Sequence, residues 1–325
     1  MLTDFNLDPS IFEADLLNNE SICVLHDTIL DYWNRYGILI TKQGSGEAYL
    51  ASIKKLPPKF HQRWIQAFSD YSSAQSPANW NDCSLYTCFD KAISLSDFFR
   101  TAVTEDTVSA VICDNEKTTR YCEKNDFEVV GVGSITESIR FRESKDSSMS
   151  DIAYKTQIGN IWKEKFQKLA QFNKTIFISD RYVFSSILRD LQNGHRASIA
   201  KFIEMLPPSK KFSITILSDG GPRASQTHVE IINYFEKSIL RSPPLAQRLA
   251  NLKLISMTTD DFKRFSHDRY IRFGRHVCQI GVGMAIFEHP NVPATTFSIK
   301  IRHESTANEI ERLALSNLWH ETLSP

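Results

Sequence analysis

Long apolar runs are absent from this sequence of 325 residues. No stretch approaches the ~18 consecutive apolar residues that a membrane-spanning helix needs, so we predict no membrane span. The first five residues include an acid and lack the basic start and apolar core of a signal peptide. We therefore expect the protein in the cytoplasm.

Cysteine pairs and an excess of charge are also absent. The six cysteines form no C-x-x-C pair that would indicate a zinc site, and scattered cysteines in a cytoplasmic chain are typically reduced thiols. Lys+Arg and Asp+Glu balance at 38 each, so no overall positive field favours sequence-blind nucleic-acid binding, although a local basic groove is compatible with this balance. The G-x-x-x-x-G-K-[ST] motif is missing, so any ATP requirement would lie on another protein.

Strand and helix patterns alternate on both sides of one polar, serine-rich segment, residues 143–151. A chain of this length has room for two domains, each with its own core. We predict an α/β protein of two domains: an N-terminal α/β domain with a parallel sheet over residues 1–145, a linker and leading helix over 146–170, and a C-terminal α/β sandwich over 171–325.

Two apolar runs in the N-terminal half are followed by acids. Residues 21–25 are predicted as a strand that leads to Asp27, and residues 107–113 as a buried strand that leads to Asp114. Converging carboxylates supply the hard oxygen ligands that Mg²⁺ and Mn²⁺ prefer. Two further acids, Glu105 and Asp106, directly precede the second run.

This arrangement of acids resembles the PIN-type nuclease domains. The resemblance implies a first acid at Asp27, a further acid at Asp106 or Glu105 with Asp97 as a substitute, and an acid at Asp114. It implies that Asp27, Glu105, Asp106 and Asp114 are metal ligands and that Asp27, Asp106 and Asp114 are catalytic, through a metal that activates water and neutralises the phosphate of RNA or DNA. The alternative is an unrelated α/β domain, in which acids follow strands because loops are polar.

The C-terminal half alternates more regularly. After residue 170, the pattern predicts strand, helix, strand, helix and strand, then three consecutive strands and a closing helix. The predicted strands are 175–178, 212–217, 252–257, 267–273, 277–280 and 296–301, and the predicted helices are 185–206, 227–240 and 304–318.

Polar residues open one strand of this half. His267, Asp268 and Arg269 precede an alternating run, the following strand ends in a G-x-G turn at residues 281–283, and R-H-E-S-T stands at 302–306. This combination resembles the phospholipase-D-like C-terminal domain found after the MIT domain in eukaryotic membrane-remodelling proteins, and the bacterial relatives of that domain.

Catalytic phospholipase-D-type proteins carry H-x-K-x-x-x-x-D, and the resemblance matches His267 to the histidine and Arg269 to the lysine. Gly274 stands where the acid would be. Arg269 offers a planar fork suited to phosphate, and the implied phosphate-binding residues are His267, Arg269 and Arg272. Because superfamily catalysis needs two histidines, a homodimer would have to bring two copies of His267 together.

Three functions remain open from the sequence. The first, which we favour, is a metal-dependent nuclease with a phospholipase-D-like recognition or regulatory domain, as in prokaryotic antiviral defence or toxin systems, acting with a protein partner of the same system. The second is a dimeric phosphodiesterase that uses His267 and no metal. The third is a non-catalytic adaptor that binds a phosphate or a protein.

Overall fold

The computed structural model describes residues 2–113, 124–265 and 269–325. The chain divides into two compact units, Met1–Asp146 and Ser147–Pro325. None of the described helices is both long enough and apolar enough to cross a membrane.

The described part of the N-terminal unit is built on a five-stranded sheet in which every neighbouring pair is parallel. Its strands are β1 (Thr3–Leu7), β2 (Gly37–Lys42), β3 (Ser73–Ser76), β4 (Thr101–Thr104) and β5 (Glu128–Gly131). They lie in the order β3-β2-β1-β4-β5, so the chain builds outward from β1 in one direction and then in the other. In parallel sheets of this kind the reversal point, at the carboxyl ends of the two central strands, is where ligands bind.

Helices cover this sheet and supply its core. They are α1 (Asp15–Asn18), α2 (Cys23–Tyr36), α3 (Gly46–Ile53), α4 (Pro58–Asp70), α5 (Phe89–Ala92), α6 (Asp106–Ile112) and α7 (Ile139–Met149). Phe5 of β1 lies edge-on to Trp33 of α2 and to Phe141 of α7, with ring centroids 6.1 and 5.3 Å apart. All three side chains are fully buried, which is expected of a parallel sheet covered by helices.

Two predicted strands of this unit are helical, and these predictions were wrong. Residues 21–25 lead into α2, because the apolar residues continue at Ile29, Leu30 and Trp33 with the spacing of one helix face. Residues 107–113 lie mostly in α6. The true strands β1 and β3 are short and carry polar residues, so their hydrophobic signal is weak.

His26 on α2 is a fully buried histidine of the core. Its Nδ1 accepts a hydrogen bond from Trp64 Nε1 at 2.9 Å, so its Nε2 carries the proton that is donated to the Leu17 carbonyl at 3.0 Å. The ring also stacks on Phe60 with centroids 3.6 Å apart. Burial is the main cause that lowers the pKa of His26 to about 4.

We expect the N-terminal unit to lose stability as the pH falls below the unfolded-state pKa of histidine, about 6.5. Because the folded pKa is about 4, the unfolded chain binds the proton first, and the loss grows until the pH reaches about 4. Between about pH 7 and pH 4.5 the loss is roughly 2 kcal/mol. Urea midpoints of the wild type and His26→Gln across this range check it, since the variant should show a shallower pH dependence. Equal slopes would contradict the expectation.

The described part of the C-terminal unit contains a seven-stranded mixed sheet in the order β13-β11-β10-β7-β8-β9-β14. The strands of this sheet are β7 (Thr175–Ser179), β8 (Phe212–Ser218), β9 (Leu249–Ser256), β10 (Tyr270–Phe273), β11 (His276–Ile280), β13 (Phe297–Ile301) and β14 (Trp319–Leu323). The centre, β7-β8-β9, is parallel and the flanking strands are antiparallel. A separate antiparallel pair joins β6 (Thr156–Gln157) to β12 (Asn291–Val292).

Helices lie between and after these strands. The α-helices are α8 (Ile158–Ile161), α9 (Gln167–Phe172), α10 (Val183–Gln192), α11 (Ser198–Met205), α12 (Gln226–Tyr234), α13 (Pro243–Ala246), α14 (Thr259–Phe265) and α15 (Ala307–Leu313). Two π-helical segments, Trp162–Phe166 and Phe235–Leu240, continue α8 and α12 respectively. One cluster of buried apolar side chains joins the sheet residues Phe177, Leu217 and Tyr270 to α15.

Three predicted segments differ from the structure. The single helix predicted over 185–206 is two helices, because Gly194 adopts a left-handed backbone (φ +67°) that ends α10. The polar segment 143–151, at which we predicted the boundary between the domains, is largely the end of α7. The closing helix, predicted over 304–318, is limited to α15 and is followed by β14.

Candidate functional site

The central strand of the parallel sheet is followed directly by a buried carboxylate, Asp8, which sequence reasoning missed. Asp8 is 1% exposed, and its backbone N–H donates to the Val103 carbonyl of β4 at 2.8 Å. Its carboxylate accepts hydrogen bonds from the backbone N–H groups of Ser10 (3.0 Å) and Cys83 (2.5 Å). These bonds fix the carboxylate at the carboxyl end of β1.

The neighbouring strand β4 also ends in acids. Glu105 and Asp106 follow it, and the Asp106 carboxylate accepts a hydrogen bond from Gly133 N–H at 3.2 Å. A Cβ at Gly131 would collide with the Asp106 carboxylate, so glycine permits this close approach. The two central strands, β1 and β4, thus end in carboxylates at the same edge of the sheet, where the strand order reverses.

A further acid, Asp82, lies at this edge. Asp8 and Asp82 both raise the pKa of the Tyr49 hydroxyl and of the Cys83 thiol, although burial is the larger cause for each. The Cys113 thiol also acts on Cys83 in the same direction, after burial and Asp8. Asp82 directly precedes Cys83, whose backbone N–H binds the Asp8 carboxylate, so both acids stand at this edge.

The chemistry of these carboxylates suits a hard divalent cation, but the described residues do not complete a site. Among residues 2–113, 124–265 and 269–325, no group of three or more His, Cys, Asp or Glu side chains is arranged to hold a metal ion. Asp114, one of the predicted ligands, lies outside the described residues.

The structure does not place Asp27 with the acids that follow β1 and β4. Asp27 lies on α2 and forms an ion pair with Arg63 of α4, and both side chains are about half exposed (52% and 46%). The prediction that Asp27 follows a strand fails because the preceding residues are helical. The signal that could have found Asp8 is the sequence Phe5-Asn6-Leu7-Asp8, an apolar alternation ended by an acid and a proline.

In the C-terminal unit, Asp180 follows the parallel strand β7 and is 3% exposed. Its carboxylate accepts hydrogen bonds from the backbone N–H groups of Tyr182 (3.0 Å) and Met284 (2.8 Å). Burial raises the pKa of Asp180, and these bonds and the nearby Arg269 oppose that shift. Gly283 has φ +60°, and a Cβ there would collide with Asp180 and Arg269, which explains the second glycine of the predicted turn.

Arg269 stands beside Asp180, with its Nε 4.0 Å from Asp180 Oδ1 and 34% of its side chain exposed. Its guanidinium lies 4.8 Å from the ring centroid of Tyr182, and that of Arg181 lies 4.4 Å from the same centroid. Two guanidiniums therefore flank one partly exposed tyrosine at the carboxyl end of β7. Paired arginines around an aromatic ring are suited to phosphate and to nucleic acid.

Arg269 lines two clefts of about 330 and 350 Å³. The first also includes Asp151, Gln279 and Ser298, and the second includes Asp180 and Glu288. His267 and Asp268 lie outside the described residues, so their position relative to Arg269 is not part of this geometry.

The structure does not bring Arg272, the third predicted phosphate ligand, together with Arg269. Arg269 directly precedes β10 and Arg272 lies three residues further along, so in an extended chain their side chains take opposite faces. Arg272 is 7% exposed, and its Nε and Nη2 donate to the two carboxylate oxygens of Glu311 at 2.5 and 3.0 Å. Its Nη1 donates to the Gly274 carbonyl at 2.5 Å. Arg272 thus joins β10 to α15.

Comparisons with known proteins identify no family for this chain. No protein-family model matches the chain, and no curated protein matches it. One solved structure with a partial likeness is that of TrmBL2, an archaeal chromatin protein described as showing a novel mode of DNA binding. The likeness has 12% sequence identity and a TM-score of 0.22, and it covers 52% of this chain and 52% of the other. The chain therefore spans about half the length of TrmBL2, and a likeness at this score carries no argument about fold or function.

Proposed function

We propose that this protein acts on nucleic acid, with a metal-dependent nuclease site in the N-terminal unit and a phosphate-recognition surface in the C-terminal unit. The observation that carries the proposal is the pair of central strands, β1 and β4, which both end in carboxylates where the strand order reverses. This edge is the ligand-binding position of parallel α/β sheets. The sheet order and the acids are compatible with the PIN-like reading of the sequence.

The residues proposed to hold Mg²⁺ or Mn²⁺ are Asp8 and Asp106, with Asp114 from the sequence pattern as the third carboxylate, since the described residues alone hold no group of three. When bound, the metal supplies an activated water and neutralises the charge of the scissile phosphate. The chain's own contribution is to fix the ligands. Backbone N–H groups hold the Asp8 carboxylate, and Gly133 N–H holds that of Asp106. Both side chains are therefore largely ordered before an ion binds.

The C-terminal unit supports the recognition half of the proposal through Arg181, Tyr182 and Arg269. The two guanidiniums, held over the Tyr182 ring, can contact the phosphates of a nucleic-acid strand. In this proposal Arg269 keeps its predicted anion-binding role, and Arg272 has a structural role through its ion pair with Glu311. A protein partner of the same defence or toxin system remains part of the proposal.

The test is hydrolysis of labelled single-stranded RNA and DNA in Mn²⁺ and in EDTA. We expect manganese-dependent cleavage, and Asp106→Asn should slow it about a hundredfold or more because a ligand oxygen is lost. Asp27→Asn is the matched control: it also neutralises an N-terminal-unit aspartate, but one that pairs with Arg63 on the surface, and it should cleave at the wild-type rate.

Other outcomes would point elsewhere. If cleavage survived EDTA and disappeared in His267→Ala, the chemistry would belong to a phospholipase-D-type dimer. If Asp27→Asn were as inactive as Asp106→Asn, the site would not lie at the β1–β4 edge. No cleavage of either strand type with any metal would leave an adaptor that binds phosphate or protein.

A further inference from the structure

A small cleft opens at the carboxyl edge of the parallel sheet, beside the proposed acids. Its volume is about 170 Å³, and its lining includes Asn6, Lys42, Tyr49, Trp80 and Asp82. Asn6 lies on β1 two residues before Asp8, and Asp82 precedes Cys83, whose N–H binds the Asp8 carboxylate at 2.5 Å. The cleft and the acids therefore share one edge and one set of loops.

The aromatic wall of the cleft is held in place before any ligand arrives. Trp80 stacks on Phe98 with ring centroids 5.0 Å apart and an interplanar angle of 26°, and it meets Phe99 edge-on at 5.5 Å. It is 8% exposed, and its indole lines the cleft. A ring that is already fixed binds a flat partner without first losing rotamer freedom.

The polar part of the cleft is one donor beside one acceptor. Lys42 Nζ lies 2.6 Å from Asp82 Oδ1 and 5.7 Å from the Trp80 ring centroid, and both charged side chains are partly exposed (27% and 41%). Nucleobase edges carry acceptors next to amino or imino donors, and lysine and aspartate are side chains that read them. The Tyr49 hydroxyl already donates to the Leu7 carbonyl at 2.7 Å, so it shapes the cleft rather than contributing a donor.

We propose that this cleft binds one unpaired nucleobase of a single-stranded nucleic acid, stacked on Trp80 with its polar edge at Lys42 and Asp82. The inference rests on the proposed function, since it places the base beside the phosphodiester that the acids would act on. It adds the substrate class: a strand with a base free to leave the stack, rather than a duplex. The cleft volume suits one planar ring system and excludes a stacked pair.

The experiment measures binding without cleavage. Fluorescence anisotropy follows labelled 12-nucleotide single-stranded RNA and DNA in EDTA, using the full chain with Arg269→Ala so that the C-terminal anion surface does not mask the difference. Trp80→Leu and Lys42→Met should each weaken binding by about tenfold or more, as loss of a stacked base does. Lys55→Met is the matched control, because it removes an exposed lysine that pairs with Glu13 in the same unit, and it should change affinity less than about twofold.

A second probe separates base from phosphate. An oligonucleotide of the same length with abasic sites throughout should bind the Arg269→Ala chain about tenfold more weakly, and Lys42→Met should no longer matter for it. This arm decides the question even if Trp80→Leu fails to fold. Lys42→Met and Trp80→Leu binding like Lys55→Met, or an abasic probe binding like the intact one, would overturn the proposal.

The two proposals fail differently. Trp80-dependent binding in EDTA with no cleavage under any metal would overturn the nuclease and keep the base cleft. Cleavage lost in Asp106→Asn, together with binding that is indifferent to Trp80 and Lys42, would overturn the cleft and keep the nuclease.

Discussion

Glu128→Ala should lower the free energy of unfolding of the N-terminal unit by about 3–5 kcal/mol. Glu128 begins β5 and is 4% exposed. Its carboxylate accepts hydrogen bonds from Thr101 Oγ1 (3.0 Å), from the Ser138 hydroxyl, and from the backbone N–H groups of Ile139 (2.9 Å) and Arg140 (3.2 Å). Its removal leaves these buried donors without an acceptor and removes the cap of α7.

Glu137→Ala is the control for this prediction. Glu137 lies nine residues away, with 72% of its side chain exposed and a 3.5 Å ion pair to Arg142, so its loss should cost less than about 0.5 kcal/mol. Urea midpoints read by hydrogen exchange on peptides of the N-terminal unit compare the variants. Equal midpoints for the two alanine variants would show that the four bonds of Glu128 do not carry the expected stabilisation.

The second large effect concerns the C-terminal unit. Glu311→Ala should lower its free energy of unfolding by about 3–5 kcal/mol. The Glu311 carboxylate accepts hydrogen bonds from Nε and Nη2 of Arg272, which is 7% exposed. It also accepts one from Nη2 of Arg302 at 2.8 Å. The variant leaves the charge of Arg272 buried without a carboxylate. The peptides that contain β10 and α15 should therefore exchange earlier in urea.

The double variant Arg272→Met/Glu311→Leu separates the charge from the contact. Because paired apolar side chains of similar size can replace a buried ion pair at little cost, its stability should return to within about 1 kcal/mol of the wild type. Glu309→Ala, at an exposed position of the same helix, is the control and should change little. A double variant as unstable as Glu311→Ala would mean that the pair does more than compensate charge.

The two halves differ in how far the sequence predicted their fold. Strand β7 is a short run of mainly apolar residues and β8 alternates apolar with polar residues, both between turn residues, so the predicted bounds 175–178 and 212–217 fall within one residue of those observed. In the N-terminal unit β1 has only five residues, with Asp4 and Asn6 among them, and its burial comes from neighbours that are distant in sequence. Tertiary context, rather than local pattern, makes it a strand.

The candidate site shows the same dependence on context. Glu105 and Asp106 were predicted from the sequence, and the structure places them at the end of β4, but Asp8 was missed together with β1. Arg269 and Arg272 were grouped because they share one motif. Their spacing of three already places the two side chains on opposite faces, but whether Glu311 is within reach of Arg272 depends on α15, 39 residues further on.

The position of β1 also sets the order in which the N-terminal unit can form. Phe5 pairs with Leu39 on one side and with Thr101 on the other, so the strand of this sheet that comes earliest along the chain is central to the finished sheet. The β1–β4 pair cannot form until about a hundred residues after β1 have been synthesised, and non-local parallel pairing of this kind folds slowly. Until then one side of β1 has unpaired backbone N–H and C=O groups, and such strand edges are prone to aggregation. A truncation or tag that disturbs residues 3–7 would therefore reduce the yield of folded protein before it affected any activity.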